Sequence, residues 1–216
     1  MLAEPVVIAA AVPARYPLRM TVNGDAVVLH VEPRELLLPV LRDRLGLRGV
    51  KQSCDVQVCG VCTVLVDGVP VSSCTTLAVE AEGKAVETIE GLSTDGRLHP
   101  IQQAFVDRAA VQCGFCTPGM ILSAKALLAE NPRPSRDEIV AYLGGNICRC
   151  TGYFNVVAAV EDAAERLAAE RIADGRLAAE RLTGERPVDG PPGYEPPSAA
   201  AAVAERQPVA PGEGGR

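Results

Sequence analysis

From Pro17 onward, Leu18, Met20 and Val22 alternate with polar positions, and the alternation resumes at Val27, Leu29 and Val31 after Asn23-Gly24-Asp25. A period of two marks strands with one buried face. Asn-Gly between two such runs marks a hairpin, because both central residues of its tight turn take positive φ. Pro39 is expected to open a short helix that places Val40, Leu41 and Leu45 on one face and ends in a left-handed cap at Gly46. Residues 49–60 then form a loop. The β-branched run Cys62-Thr63-Val64-Leu65-Val66 is a strand, turned by Asp67-Gly68 into a second hairpin partner over residues 69–74. A last strand at 86–89 completes a small mixed sheet crossed by one helix.

After Gly91 the period lengthens to about 3.6, the mark of a change of domain. Pro100 starts a helix whose stripe is Ile101, Ala104, Phe105 and Ala109. Thr117-Pro118 is expected as N-cap and first helical residue, with Met120, Ala124, Leu127 and Leu128 buried until Asn131-Pro132. Ser135-Arg136-Asp137-Glu138 is a capping box opening a third helix through Ile139 and Leu143 to Gly144-Gly145-Asn146. A fourth begins near Tyr153 and buries Val156, Val157, Val160, Ala164 and Leu167. These stripes are core packing. The organisation is α+β: a sheet domain over 17–93, a four-helix bundle over 94–172, a leader over 1–16 and a tail over 173–216. Clustered prolines at 187, 191, 192, 196 and 197 and the lack of an apolar period mark that tail as disordered, with Arg176 and Leu182 bounding a possible extension of the last helix. In the leader, the apolar run from Val6 to Val12 is preceded by Glu4 and lacks the Lys or Arg of a secretory signal.

Eight cysteines fall into two quartets. Cys54, Cys59, Cys62 and Cys74 have the spacing C-x4-C-x2-C with a distant fourth member, which is that of a plant-type 2Fe-2S cluster. Structural zinc is the competing reading, but zinc knuckles use two short C-x2-C hairpins. Cys113, Cys116, Cys148 and Cys150 pair a C-x2-C with a later C-x-C, a spacing that by itself leaves iron-sulfur and zinc both open. A disulfide framework is set aside, because a chain of 216 residues with 48% hydrophobic composition can bury a core without one. A Rieske centre needs two histidines beside two cysteines, and neither His30 nor His99 is so placed. Sheet, crossing helix and cysteine-bearing loop together describe a β-grasp ferredoxin.

A net charge of −6 argues against a nucleic-acid partner, and scarce aromatics remove stacking platforms. No stretch approaches the roughly twenty apolar residues of a membrane span. Thiolates reserved for metal point to a reducing, cytoplasmic location. No Ser-His-Asp set, phosphate loop or carboxylate pair stands out, so the expectation is no catalytic residue on this chain.

Four motifs then carry a resemblance: Val50-Lys51-Gln52-Ser53-Cys54-Asp55, Cys59-Gly60-Val61-Cys62-Thr63-Val64, Gln112-Cys113-Gly114-Phe115-Cys116-Thr117-Pro118-Gly119 and Asn146-Ile147-Cys148-Arg149-Cys150-Thr151-Gly152-Tyr153. In this order they resemble the small iron-sulfur subunit of molybdenum hydroxylases, the xanthine dehydrogenase, aldehyde oxidase and carbon monoxide dehydrogenase superfamily. The resemblance covers about residues 17–170. It implies a β-grasp 2Fe-2S ferredoxin domain followed by a four-helix-bundle 2Fe-2S-binding domain, and so two 2Fe-2S clusters. It also implies a large subunit holding a molybdopterin-type cofactor and a medium subunit holding FAD. By carry-over, Cys113, Cys116, Cys148 and Cys150 bind the cluster nearer molybdenum, and Cys54, Cys59, Cys62 and Cys74 the one nearer flavin. Gln112 matches a position whose amide contacts the pterin, where both donor and acceptor are of use. The chain is then an electron-transfer subunit of an oxidoreductase. Its rivals are a free-standing two-cluster ferredoxin and a zinc-stabilised interaction module. Val61, where a smaller residue is usual, and the apolar Val56-Gln57-Val58 depart from the family pattern.

Overall fold

The computed structural model describes residues 15–183, with side chains through 173, so the expectations for 1–14 and 184–216 lie outside the described residues. Strand β1 (Tyr16–Val22) pairs antiparallel with β2 (Asp25–Val31), with Val22 opposite Asp25. Asn23 and Gly24 between them have φ of 54° and 91°, the left-handed pair that a tight hairpin requires. A second hairpin joins β3 (Thr63–Val66) to β4 (Val69–Ser72) through Asp67 and Gly68. Strand β5 (Ala85–Glu87) lies between the hairpins, parallel to β1 and antiparallel to β3, giving the order β2-β1-β5-β3-β4.

β5 stops short of the expected Ile89. Thr88 N–H donates to Asn23 Oδ1 at 2.8 Å, so the hairpin asparagine takes the donor that a longer ladder would use, and Ile89–Gly91 coils into a 3₁₀ turn. The crossing helix also differs from expectation. Helix α1 (Leu37–Pro39) opens before Pro39 and passes directly into a π-helical turn at Val40–Arg44. Pro39 is tolerated because the first turn has no intrahelical use for its missing N–H. The amides of Leu37 and Leu38 instead donate to Thr76 O (2.8 Å) and Ser73 O (3.0 Å), docking the helix start on the segment after β4. The turn buries Leu37, Leu38, Val40 and Leu41 against Leu18, Met20, Val22, Val64 and Val86.

Every residue of β3 is buried, as a continuous β-branched run suggests. Val64 and Val66 join the core under α1, while Leu65 joins a second core built mainly by helices. Those helices are α2 (Pro100–Asp107), α3 (Thr117–Glu130), α4 (Arg136–Tyr142) and α5 (Phe154–Thr183). α3 lies against β3, and its Lys125 pairs with Glu87 of β5. Ile101, Phe105, Met120, Leu122, Ile139, Val156 and Val160 fill the second core, into which Val61 also packs. That packing accounts for a valine where the family pattern has a smaller residue. At the start of α3 the N-cap position falls on Cys116 and not on Thr117, which is itself the first helical residue, and Cys116 makes no side-chain cap hydrogen bond. α5 runs on to Thr183, so the possible extension at its end is helical.

The α4 capping box forms as the sequence predicts: Glu138 N–H donates to Ser135 Oγ at 3.3 Å, and Ser135 N–H donates to the Glu138 carboxylate at 2.7 Å. That amide, followed by the Ser135 hydroxyl, holds the Glu138 carboxyl below the usual carboxylate range. A depressed folded pKa stabilises above the unfolded value, and the effect is lost as pH falls through the folded one. Replacing the cap in Ser135→Ala is expected to cost about 1 kcal/mol at neutral pH. In thermal unfolding, the Tm gap between variant and parent should narrow on acidification below the carboxylate range. A gap independent of pH would show that the Ser135 hydroxyl does not contribute to lowering the Glu138 carboxyl.

Candidate metal centres

The first quartet is organised by the loop between α1 and β3. Arg42 Nη1 donates to Val50 O at 3.0 Å, and Gly49 N–H donates to Glu90 Oε1 at 2.6 Å, fixing the loop's entry to the π-helical turn and to the 3₁₀ turn after β5. Asp55 and Gln57 take φ of 55° and 58°. These left-handed residues curl the backbone so that Val58 N–H and Cys59 N–H both reach Cys54 Sγ at 3.4 Å. The backbone donors at Val56, Cys59 and Val58 bring the Cys54 thiol down to about 6, favouring thiolate at neutral pH. Cys62 immediately precedes β3 and Cys74 follows β4, so the second hairpin brings two buried sulfurs to the half-buried Cys54 and Cys59. Burial pushes the Cys74 thiol up to about 11, and hydrogen bonding to Cys62 and the charges of Cys62 and Cys54 add to the rise. Ser73, fully buried, donates its hydroxyl to Cys62 O at 2.7 Å and fixes the hairpin at the site.

The second quartet lies where α2, α3 and α5 approach. Cys113 is in the α2–α3 loop, Cys116 caps α3, and Cys148 and Cys150 precede α5. Cys116 and Cys148 are buried, while Cys113 and Cys150 are exposed with their sulfurs 3.6 Å apart. Burial, then hydrogen bonding to Cys148, pushes the Cys116 thiol up to about 12. Cys148 is buried too, but donors from Thr151 and from Cys150 N–H outweigh the burial and bring it down to about 7. Thr151 Oγ1 donates to Cys148 Sγ at 3.1 Å, Thr151 N–H at 3.3 Å and Cys150 N–H at 3.4 Å. Hydrogen bonding to Cys113 raises the Cys150 thiol.

Two thiolates about 2.3 Å from one tetrahedral ion lie roughly 3.7 Å apart, which matches the Cys113–Cys150 separation of 3.6 Å. All-thiolate donors with N–H groups aimed at sulfur suit iron-sulfur iron in kind as well.

Gln112 is exposed beside Cys113, in the loop beyond the end of α2. Arg149 is exposed between Cys148 and Cys150. Thr151 and Tyr153 were not among the residues expected at the site from sequence, yet the Tyr153 hydroxyl accepts from Cys148 N–H at 2.8 Å. Thr151 lies only three residues after Cys148, so its hydroxyl reaches the cysteine sulfur locally, side chain to side chain. Tyr153 has no such local signal, because its reach depends on its own left-handed backbone at φ 68°. Gly60 and Gly114 have φ of 67° and 79°. The space at Gly60 is closed by the second cysteine loop, since a methyl there would collide with Gly145 O and Asn146 Nδ2.

Comparison with known proteins agrees with this geometry. Residues 20–92 match a family described as a 2Fe-2S iron-sulfur cluster binding domain, and residues 88–161 match a [2Fe-2S] binding domain. The small FeS subunit of nicotinate dehydrogenase from Eubacterium barkeri is 47% identical over 149 residues, 69% of this chain and 95% of that one. Among solved structures, a chain of quinoline 2-oxidoreductase from Pseudomonas putida 86 superposes with a TM-score of 0.70 at 49% identity, covering 73% of this chain and 98% of that one. The aldehyde oxidoreductase from Desulfovibrio desulfuricans ATCC 27774 gives a TM-score of 0.69 at 47% identity over 71% of this chain, which corresponds to 17% of that longer chain. With both 2Fe-2S-binding regions matched in order, and a relative covered almost end to end, this chain belongs to the small iron-sulfur subunits of the molybdenum hydroxylase superfamily.

Proposed function

We propose that Cys54, Cys59, Cys62 and Cys74 hold one 2Fe-2S cluster and that Cys113, Cys116, Cys148 and Cys150 hold the other. Electrons then leave a molybdopterin-type cofactor on a large subunit, cross this chain, and pass to an FAD-binding medium subunit. The observation that carries this reading is the direct contact of the two cysteine loops, where Ile147 N–H donates to Cys59 O at 2.8 Å. One hydrogen bond thus links a residue of the first quartet to the neighbour of Cys148. When bound, each cluster supplies reversible one-electron transfer. The chain's own residues set the conditions for it. Amides at Val58, Cys59, Cys150 and Thr151 stabilise charge on sulfur, and burial of Cys62, Cys74, Cys116 and Cys148 limits water.

The two outer edges support separate partners. Exposed Cys113 and Cys150 stand beside Gln112, Phe115 (45% exposed) and Ile147 (46% exposed), an apolar rim that favours a fixed subunit over a freely diffusing ferredoxin. That rim is where we place the large subunit, with Gln112 reaching the pterin. Cys54 and Cys59 lie beside Val56 (65% exposed) and Val58 (58% exposed), and there we place the flavin subunit. The division into residues 17–93 and 94–172 assigns one cluster to each part. None of the helices in the described residues is long and apolar enough to cross a membrane, and thiolate-bound iron suits the cytoplasm.

Cys59→Ser is expected to remove or impair one cluster while the other stays detectable by electron paramagnetic resonance in the purified complex. Equal loss of both signals in folded protein would count against two independent sites. Gln112→Ala should leave iron content unchanged and lower turnover of the assembled enzyme about fivefold, the equivalent of one hydrogen bond of about 1 kcal/mol. Unchanged turnover and unchanged retention of the molybdenum cofactor would show Gln112 to be only a loop residue.

A further inference from the structure

Three backbone segments meet between the quartets: Cys59-Gly60, Gly145-Asn146-Ile147 before Cys148, and the first turn of α3 at Gly119 after Cys116. At Gly60 and Gly119 the contact leaves no room for a side chain. A methyl at Gly60 would strike Gly145 O and Asn146 Nδ2, and a methyl at Gly119 would strike Gly60 O. Asn146 is the side chain that crosses this junction. It is 6% exposed, and its Nδ2 donates to Gly60 O at 2.9 Å and lies 3.4 Å from Thr63 Oγ1. Gly60 O also accepts from Thr63 Oγ1 at 2.7 Å, so the carbonyl is held by a donor from each side of the junction. Asn146's own N–H donates to Leu143 O at 2.9 Å, which anchors the amide to the end of the α4 segment. The next residue, Ile147, makes the hydrogen bond to Cys59 O at 2.8 Å.

Two parallel donors from adjacent residues, one side chain and one backbone, therefore grip two adjacent carbonyls, those of Gly60 and Cys59. A single hydrogen bond would fix a distance, whereas this pair also fixes the orientation of one loop on the other. We propose that Asn146 is a positioning residue for electron transfer between the clusters: its side-chain amide sets the Ile147–Cys59 contact and with it the spacing and electronic coupling of the two sites. It touches no ligand sulfur and acts through the backbone of Cys59 and Ile147. This inference rests on the two-cluster reading above.

The test compares the purified complex carrying Asn146→Asp or Asn146→Ala with its parent. Asn146→Asp is nearly isosteric but replaces the donor with a carboxylate facing a carbonyl, so it breaks the grip without emptying the site. Expected are full iron content, both paramagnetic signals at their parental positions, a weakened spin–spin interaction between the reduced clusters, and several-fold slower intercluster electron equilibration after a photochemical electron pulse. Asn146→Ala should behave alike. Should the alanine protein lose a cluster, the aspartate protein decides. Parental spin–spin interaction and rate in Asn146→Asp with both clusters loaded would overturn the assignment. Absence of two signals in the parent would instead overturn the two-cluster reading, so the two failures are distinguishable.

Discussion

Each cysteine loop has to keep its backbone amides turned toward sulfur, which leaves its carbonyls facing outward and in need of donors. At the junction of the two loops, that need is met by packing one loop against the other. The carbonyls of Cys59 and Gly60 accept from Ile147 N–H and Asn146 Nδ2, and the glycines at 60 and 119 let the backbones close to contact. A carbonyl left without those donors would cost about 1–3 kcal/mol of stability. Much else follows from this contact. Val61 and Leu65 point from the sheet side into the helical core, α3 lies along β3, and Lys125 pairs with Glu87.

Within each quartet the sulfurs are unequal, and the inequality has physical causes. In the first, Cys54 is held toward thiolate by amides while burial holds Cys74 toward thiol. In the second, Cys148 is brought down by Thr151 and Cys150, while Cys116 is pushed up by burial. One sulfur of each quartet is thus held toward thiolate and another toward thiol, whose proton metal binding would release. Such an arrangement limits the number of uncompensated charges in the apoprotein core.

Local chemistry was legible in the sequence. Asn23-Gly24 and Asp67-Gly68 fixed two hairpins, and Ser135 with Glu138 fixed a capping box. What local patterns did not reveal depends on partners distant along the chain. Pro39 was read as a helix opener, but Thr76 and Ser73 supply acceptors that let the helix begin at Leu37. The strand expected to reach Ile89 is cut short by Asn23, and Thr117, expected as the cap, is itself the first helical residue of α3. Asn146 was read as the end of a helix. Its bond to Gly60 joins residues far apart in sequence, for which no spacing rule exists.

The most direct test of the account is low-temperature electron paramagnetic resonance on anaerobically purified, dithionite-reduced protein, with iron and zinc quantified in the same sample. Two distinct spin-one-half signals, broadened by mutual interaction, with about four irons per chain, are the predicted result. Stoichiometric zinc and no paramagnetic signal, in protein never exposed to oxygen or excess zinc, would contradict it.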